Sequence, residues 1–179
     1  MDRLIAVKSV TDIPPGLRDS PAGRLLEYHN LGRELDTYDR AELLIGMCMD
    51  HRKQLRLPDQ FAYILRAGGA NMRPSEFKVS YAIAVGGVRA LALIGHTECG
   101  MSRLSSRRAE FVDGLVDAGW VREDALAHFE RFAPEFEIGD PVDFVSSEAK
   151  RLGNLYPAVT VTPMIYRVED GRLYLVRTA

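Results

Sequence analysis

Two apolar runs without a charge stand out in the chain: Leu43-Leu44-Ile45-Gly46-Met47-Cys48 and Ala90-Leu91-Ala92-Leu93-Ile94-Gly95. Continuous rather than alternating apolar character suits strands covered on both faces, as in a parallel sheet. A third strand is predicted at 61–66, running into the small residues Ala67-Gly68-Gly69-Ala70-Asn71. After Pro74 a helix is expected over 75–85, closed by Gly86-Gly87. Beyond Met101 the pattern turns helical at 104–118, 122–132 and 142–152, the last opened by Asp140-Pro141 in cap-then-proline order. The tail, 159–168 and 172–176, reads as two strands joined through Glu169-Asp170-Gly171, a hairpin signal. Strands alternating with helices are the mark of βαβ units. The expected fold class is therefore α/β, with a central mainly parallel β-sheet flanked by helices.

The first twenty residues contain Pro14-Pro15-Gly16 and are followed by Pro21, which breaks any long helix there. They are expected to form an arm that packs on something else, with a loosely helical stretch over 19–39 carrying Leu25, Leu26, Leu31 and Leu35. At 179 residues, 46% hydrophobic, the chain suits one domain over 1–179. In that domain 1–40 are the arm and helix, placed at a subunit interface. The 23 basic and 25 acidic residues are mixed along the sequence, so no basic face for nucleic acid is expected. No apolar run approaches the roughly 18 residues of a membrane span. The chain reads as soluble and cytoplasmic, with no membrane partner.

Only two cysteines occur, and both stand beside other ligand-type residues at strand ends. In an open parallel sheet, ligands bind beyond the carboxyl ends of the strands. Cys48 and His96 both fall there, and Cys99 follows His96 by three residues, a spacing that aims imidazole and thiolate at one ion. Singly, each reads as a buried cysteine or a turn histidine; together they point to a metal site. Such soft and borderline donors select Zn2+ over magnesium or calcium. Three protein donors also leave a fourth position open, as in catalytic sites. Asp50 and Arg52, two residues apart, can pair beside the metal, or Asp50 can take the fourth position itself.

Other residues weigh less. His51 is read as a surface residue or a proton shuttle, and His29 and His128 as solvated or structural. Trp120 is expected to anchor packing. Met47, Met49, Met72 and Met101 are core fillers or the lining of an apolar pocket.

The order Cys48-x-Asp50-x-Arg52, then a glycine-containing loop after Arg66, then Gly95-His96-Thr97-Glu98-Cys99-Gly100-Met101 resembles the signature of the β-class carbonic anhydrases. The likeness covers roughly residues 42 to 103, and the wording is most similar to the compact prokaryotic branch. The resemblance implies zinc on Cys48, His96 and Cys99, with hydroxide in the fourth position attacking carbon dioxide to give bicarbonate. It makes Asp50 and Arg52 the orienting dyad, and a homodimer or higher homo-oligomer the assembly. It also implies a site that Asp50 closes near neutral pH and that opens above about pH 8.5.

The chain departs from the family at 67–70, where Ala67, Gly68, Gly69 and Ala70 lack the usual polar amide, and in a short link from Arg52 to Phe61. Carbonyl sulfide or carbon disulfide hydrolysis on the same site is thus a second expectation. A zinc-binding scaffold without turnover and a thiol redox pair of Cys48 and Cys99 are the others.

Overall fold

The computed structural model describes residues 3–35 and 37–177, so the first two residues of the expected arm, Asp36 of the expected helix, and the last two residues lie outside it. One six-stranded sheet organises the chain. In chain order its strands are β1 (Leu4–Ala6), β2 (Leu43–Met47), β3 (Ala62–Arg66), β4 (Ala90–His96), β5 (Thr160–Arg167) and β6 (Arg172–Val176). They lie side by side as β1-β6-β5-β4-β2-β3. The pairs β2–β3, β2–β4 and β4–β5 are parallel, whereas β5–β6 and β6–β1 are antiparallel. The α/β class with a mainly parallel sheet is the observed architecture.

The helices are α1 (Pro15–Arg18), α2 (Pro21–Leu31), α3 (Glu76–Ala84), α4 (Arg108–Asp117), α5 (Arg122–Phe136) and α6 (Pro141–Leu155). Every residue of β2 and β4 is buried, because the sheet is covered on both sides. Leu43, Ile45, Met47, Ala90, Ala92 and Ile94 face one core with Leu25 and Leu26 of α2. Leu44, Leu91 and Leu93 face the other, with Val79 of α3 and Val145, Ala149 and Leu152 of α6. This is the period-two alternation of a strand read out as two separate cores. Helix α6 starts where the cap-then-proline order placed it: the Asp140 carboxylate accepts from the backbone N–H of Val142 and Asp143, both at 2.9 Å. It then presses on β4 so closely that a Cβ on Gly95 would lie 2.7 Å from Val145 Cγ1.

The N-terminal segment pairs with its own sheet through β1 and β6, with Val7 and Ile13 buried in the α2-side core. Two expectations are corrected. The helix expected to reach residue 39 stops at Leu31, where Gly32 takes a left-handed φ of 67° and leaves Leu35 beyond it. The helix expected over 104–118 begins as a 3-10 stretch, Gly100–Arg107, and becomes α-helical only from Arg108. Among the described residues no helix is long and apolar enough to cross a membrane.

Candidate metal centre

The carboxyl ends of the neighbouring parallel strands β2 and β4 deliver the first two donors. Cys48 directly follows β2, and His96 is the last residue of β4. The chain then reverses sharply: Glu98 holds a positive φ of 55°, a conformation costing a non-glycine residue about 1–2 kcal/mol. That turn brings Cys99 back, and the cysteine sulfurs and a ring nitrogen of His96 lie within 4.8 Å of one another, all three residues buried. The three residues singled out from their spacing therefore converge on one point.

His96 is oriented for a cation. Its Nδ1 lies 2.8 Å from the Thr97 carbonyl, a contact that only a protonated Nδ1 can make, so the Nε2 lone pair faces the cysteines. That Nε2 is buried and, among the described residues, without a hydrogen-bond partner. An orphaned acceptor beside two thiols is a costly arrangement unless a cation takes the lone pair. Contact with Cys99 pulls Cys48 towards the thiolate, and the same contact pushes Cys99 up. Cys48 Sγ also accepts the backbone N–H of Gly69 at 3.2 Å. This donor comes from the alanine- and glycine-containing loop, where Gly69 and Ala70 hold φ of 64° and 63°.

Asp50 and Arg52 form the pair expected of them. The guanidinium Nη2 and Nε donate to Asp50 at 2.9 and 3.1 Å, and Arg52 is itself held by the Glu98 carbonyl and carboxylate, each at 3.0 Å. The Arg52 guanidinium holds the Asp50 carboxyl below the usual carboxylate range. Asp50 Oδ2 lies 3.9 Å from His96 Nε2, which puts the carboxylate at the mouth of the cluster. Ile138, Met101 and Phe144 pack against the cysteines as an apolar wall.

The remaining candidates fall elsewhere. His51 is exposed, and His29 is buried in a different region, bonded to Gly171 and Arg56. His128 lies among Phe111, Trp120 and Phe132 on the α4–α5 pair, with its ring 5.2 Å from that of Trp120. Met47 and Met72 are core residues and Met49 is exposed, which leaves Met101 as the methionine at the site. Sequence reasoning missed three contributors: the Gly69 N–H, Glu98 as the second anchor of Arg52, and Lys53. The last stands in the charged run His51-Arg52-Lys53 and reads as solvated, yet its side chain is fully buried and reaches the Asp50 carbonyl at 3.2 Å.

No family model and no curated protein matches the sequence. Solved structures do. The β-carbonic anhydrase isoform I of Trichomonas vaginalis superposes with a TM-score of 0.64 at 15% identity, over 83% of this chain and 91% of that one. The carbonic anhydrase of Glaciozyma antarctica gives 0.60 at 21% identity, over 90% and 98%. The fold is that of the β-carbonic anhydrases. A carbon disulfide hydrolase in its apo form shares it, with a TM-score of 0.57 at 20% identity over 80% and 82% of the two chains. The β-carbonic anhydrase fold thus carries here a Cys-His-Cys cluster able to hold a metal ion, beside an aspartate locked by an arginine.

Proposed function

We propose that the protein is a zinc-dependent enzyme that reversibly hydrates carbon dioxide to bicarbonate. The observation that carries this reading is the Nε2 of His96, without a hydrogen-bond partner among the described residues and buried against two cysteine sulfurs with Asp50 at 3.9 Å. Two sulfurs and one imidazole suit zinc, and three protein donors leave a tetrahedral ion one free position. A bound zinc supplies a Lewis acid that makes water nucleophilic near neutral pH. The chain's own residues then set the geometry. Asp50, ionised and unable to turn away while Arg52 grips it, accepts a hydrogen bond from the reacting water and aims its remaining lone pair. The Met101, Ile138 and Phe144 wall offers a small uncharged substrate an apolar surface.

The test is zinc content and stopped-flow carbon dioxide hydration on one preparation, at pH 7 and above pH 8.5, with carbon disulfide turnover run beside it. Stoichiometric zinc with hydration at either pH supports the proposal. Turnover of carbon disulfide alone transfers the site to the sulfur substrate that the name of one structural neighbour carries. Zinc without turnover of either overturns the enzymatic reading.

We also propose that the chain works as a homodimer through β3. With the N-terminal segment tied to its own sheet, β3 is an edge strand at the opposite side of the sheet. Tyr63 and Ile64 on it, and Phe77, Tyr81 and Val85 in a stripe along α3, are all large apolar residues left exposed, Phe77 at 83%. These rings and branched chains present on the order of 500 Å² of surface. With the flanking backbone, that approaches the about 800 Å² per partner of a stable interface. An antiparallel β3–β3 contact is self-complementary, as a twofold interface requires. Sedimentation velocity should give twice the 20.0 kDa chain mass, and Phe77→Glu should halve it without loss of fold. A monomeric wild type contradicts this assembly.

A further inference from the structure

One of the largest side chains in the fully buried set is a charged one, Lys53, at 2% exposure. It lies on the irregular link between Arg52 and Phe61, one of the places where the sequence departs from the family it resembles. Among the described residues its ammonium makes one hydrogen bond, to the Asp50 carbonyl at 3.2 Å. Taking an ammonium out of water is strongly unfavourable, and an apolar residue of similar volume in such a place is often neutral or stabilising. A lysine kept there draws its compensation from nearby negative charge. Burial pulls its pKa down, and the negative charges of Cys48 and Asp50 oppose this. Its ammonium sits on the carbonyl of Asp50, whose carboxylate lies 3.9 Å from His96 Nε2, so Lys53 packs beside the metal centre.

The charges around that centre show what is left for Lys53 to balance. Asp50 is paired with Arg52, whose second partner is Glu98. Two thiolates balance a divalent ion. With an ion held there, a small anion taken up beside it would add one further negative charge to this buried cluster. Arg66 donates to the Cys48 carbonyl at 3.3 Å, but it is solvent-exposed and its charge is screened accordingly.

We propose that Lys53 is the counter-charge that tunes this pocket for a small anion, a positioning residue acting by its fixed ammonium through the Asp50 turn. The inference rests on the metal-centre reading above and deepens it. At an effective dielectric near 20, one unit charge within about 12 Å of an anion changes its affinity roughly tenfold or more.

The experiment compares wild type, Lys53→Met and Lys53→Arg loaded with cobalt(II), titrated with azide and followed by the visible cobalt absorption, with thermal unfolding of the metal-free proteins alongside. Lys53→Met should weaken azide binding roughly tenfold or more while its metal-free melting temperature holds or rises, and Lys53→Arg should restore most of the affinity. Azide binding by Lys53→Met at wild-type strength overturns the proposal. So does a Lys53→Met protein that melts early or fails to fold, since that assigns the lysine a structural role. The expected azide result without carbon dioxide turnover would remove the assigned reaction and leave Lys53 as proposed. A wild type that takes up no cobalt removes both.

Discussion

Replacing Gly69 with alanine acts on the fold and on the metal centre at one atom. Gly69 has a left-handed φ of 64°, and a Cβ there would lie 2.6 Å from Ile138 Cγ2 and 3.0 Å from its Cδ1. Ile138 is buried against Cys48 and Cys99, so it has little room to retreat. The backbone conformation costs alanine about 1–2 kcal/mol and the overpacking about 1–3, or about 2–5 together. For a domain of this size each kcal/mol moves the melting temperature by about 2–4 °C, so a fall of roughly 5–20 °C is expected. Any shift of the loop that relieves the clash also displaces the Gly69 N–H from Cys48 Sγ, at present 3.2 Å away. Calorimetry of the metal-free variant, paired with its zinc content, reads both effects. Gly153→Ala is the control, because Gly153 lies inside α6 and a Cβ there would meet nothing within 4 Å, and it should gain about 0.5–1 kcal/mol. A Gly69→Ala protein that melts within 2 °C of wild type, which is below about 1 kcal/mol, would refute the packing argument.

Three further outcomes follow from the same geometry. Arg52→Gln should lower the hydration rate about 10–100-fold with zinc retained, the usual effect of loosening a group that orients the atoms at a metal, as measured by stopped flow. Asp50 has a depressed carboxyl pKa because Arg52 holds its charged form, so its stabilising contribution is present above the ordinary value of about 3.9 and is lost as pH falls below it. The gap in urea stability between metal-free wild type and Arg52→Gln should therefore shrink between pH 5 and pH 3. Cys99→Ser should abolish stoichiometric zinc while leaving the far-ultraviolet dichroism unchanged, because Cys99 stands in a turn beyond β4 and carries no strand pairing.

Much of the architecture was legible because β2 and β4 are buried on both faces and so read as unbroken apolar runs. The three donors were legible for a related reason: a parallel sheet sends neighbouring strand ends to one place, so a cysteine after β2 and a histidine ending β4 must meet. Tertiary context hid the rest. Nothing local shows that Leu4–Ala6 will find β6, a partner about 170 residues away in sequence. The stop of α2 at Gly32 was marked only by the glycine, against a leucine pattern that continued to Leu35. Lys53 drew no notice because a lysine following His51-Arg52 is ordinarily solvated; its burial depends on the path of the short link. The Gly69 N–H escaped notice because a backbone donor carries no side-chain signature.

The metal centre proposed here is one zinc on Cys48, His96 and Cys99 with its fourth position available. X-ray absorption at the zinc edge of the purified protein, with metal content on the same sample, tests it most directly. One zinc per chain is expected, with two sulfurs at about 2.3 Å and one imidazole nitrogen and one light atom at about 2.0–2.2 Å. A protein without stoichiometric zinc, or a zinc shell with no sulfur in it, would contradict the account.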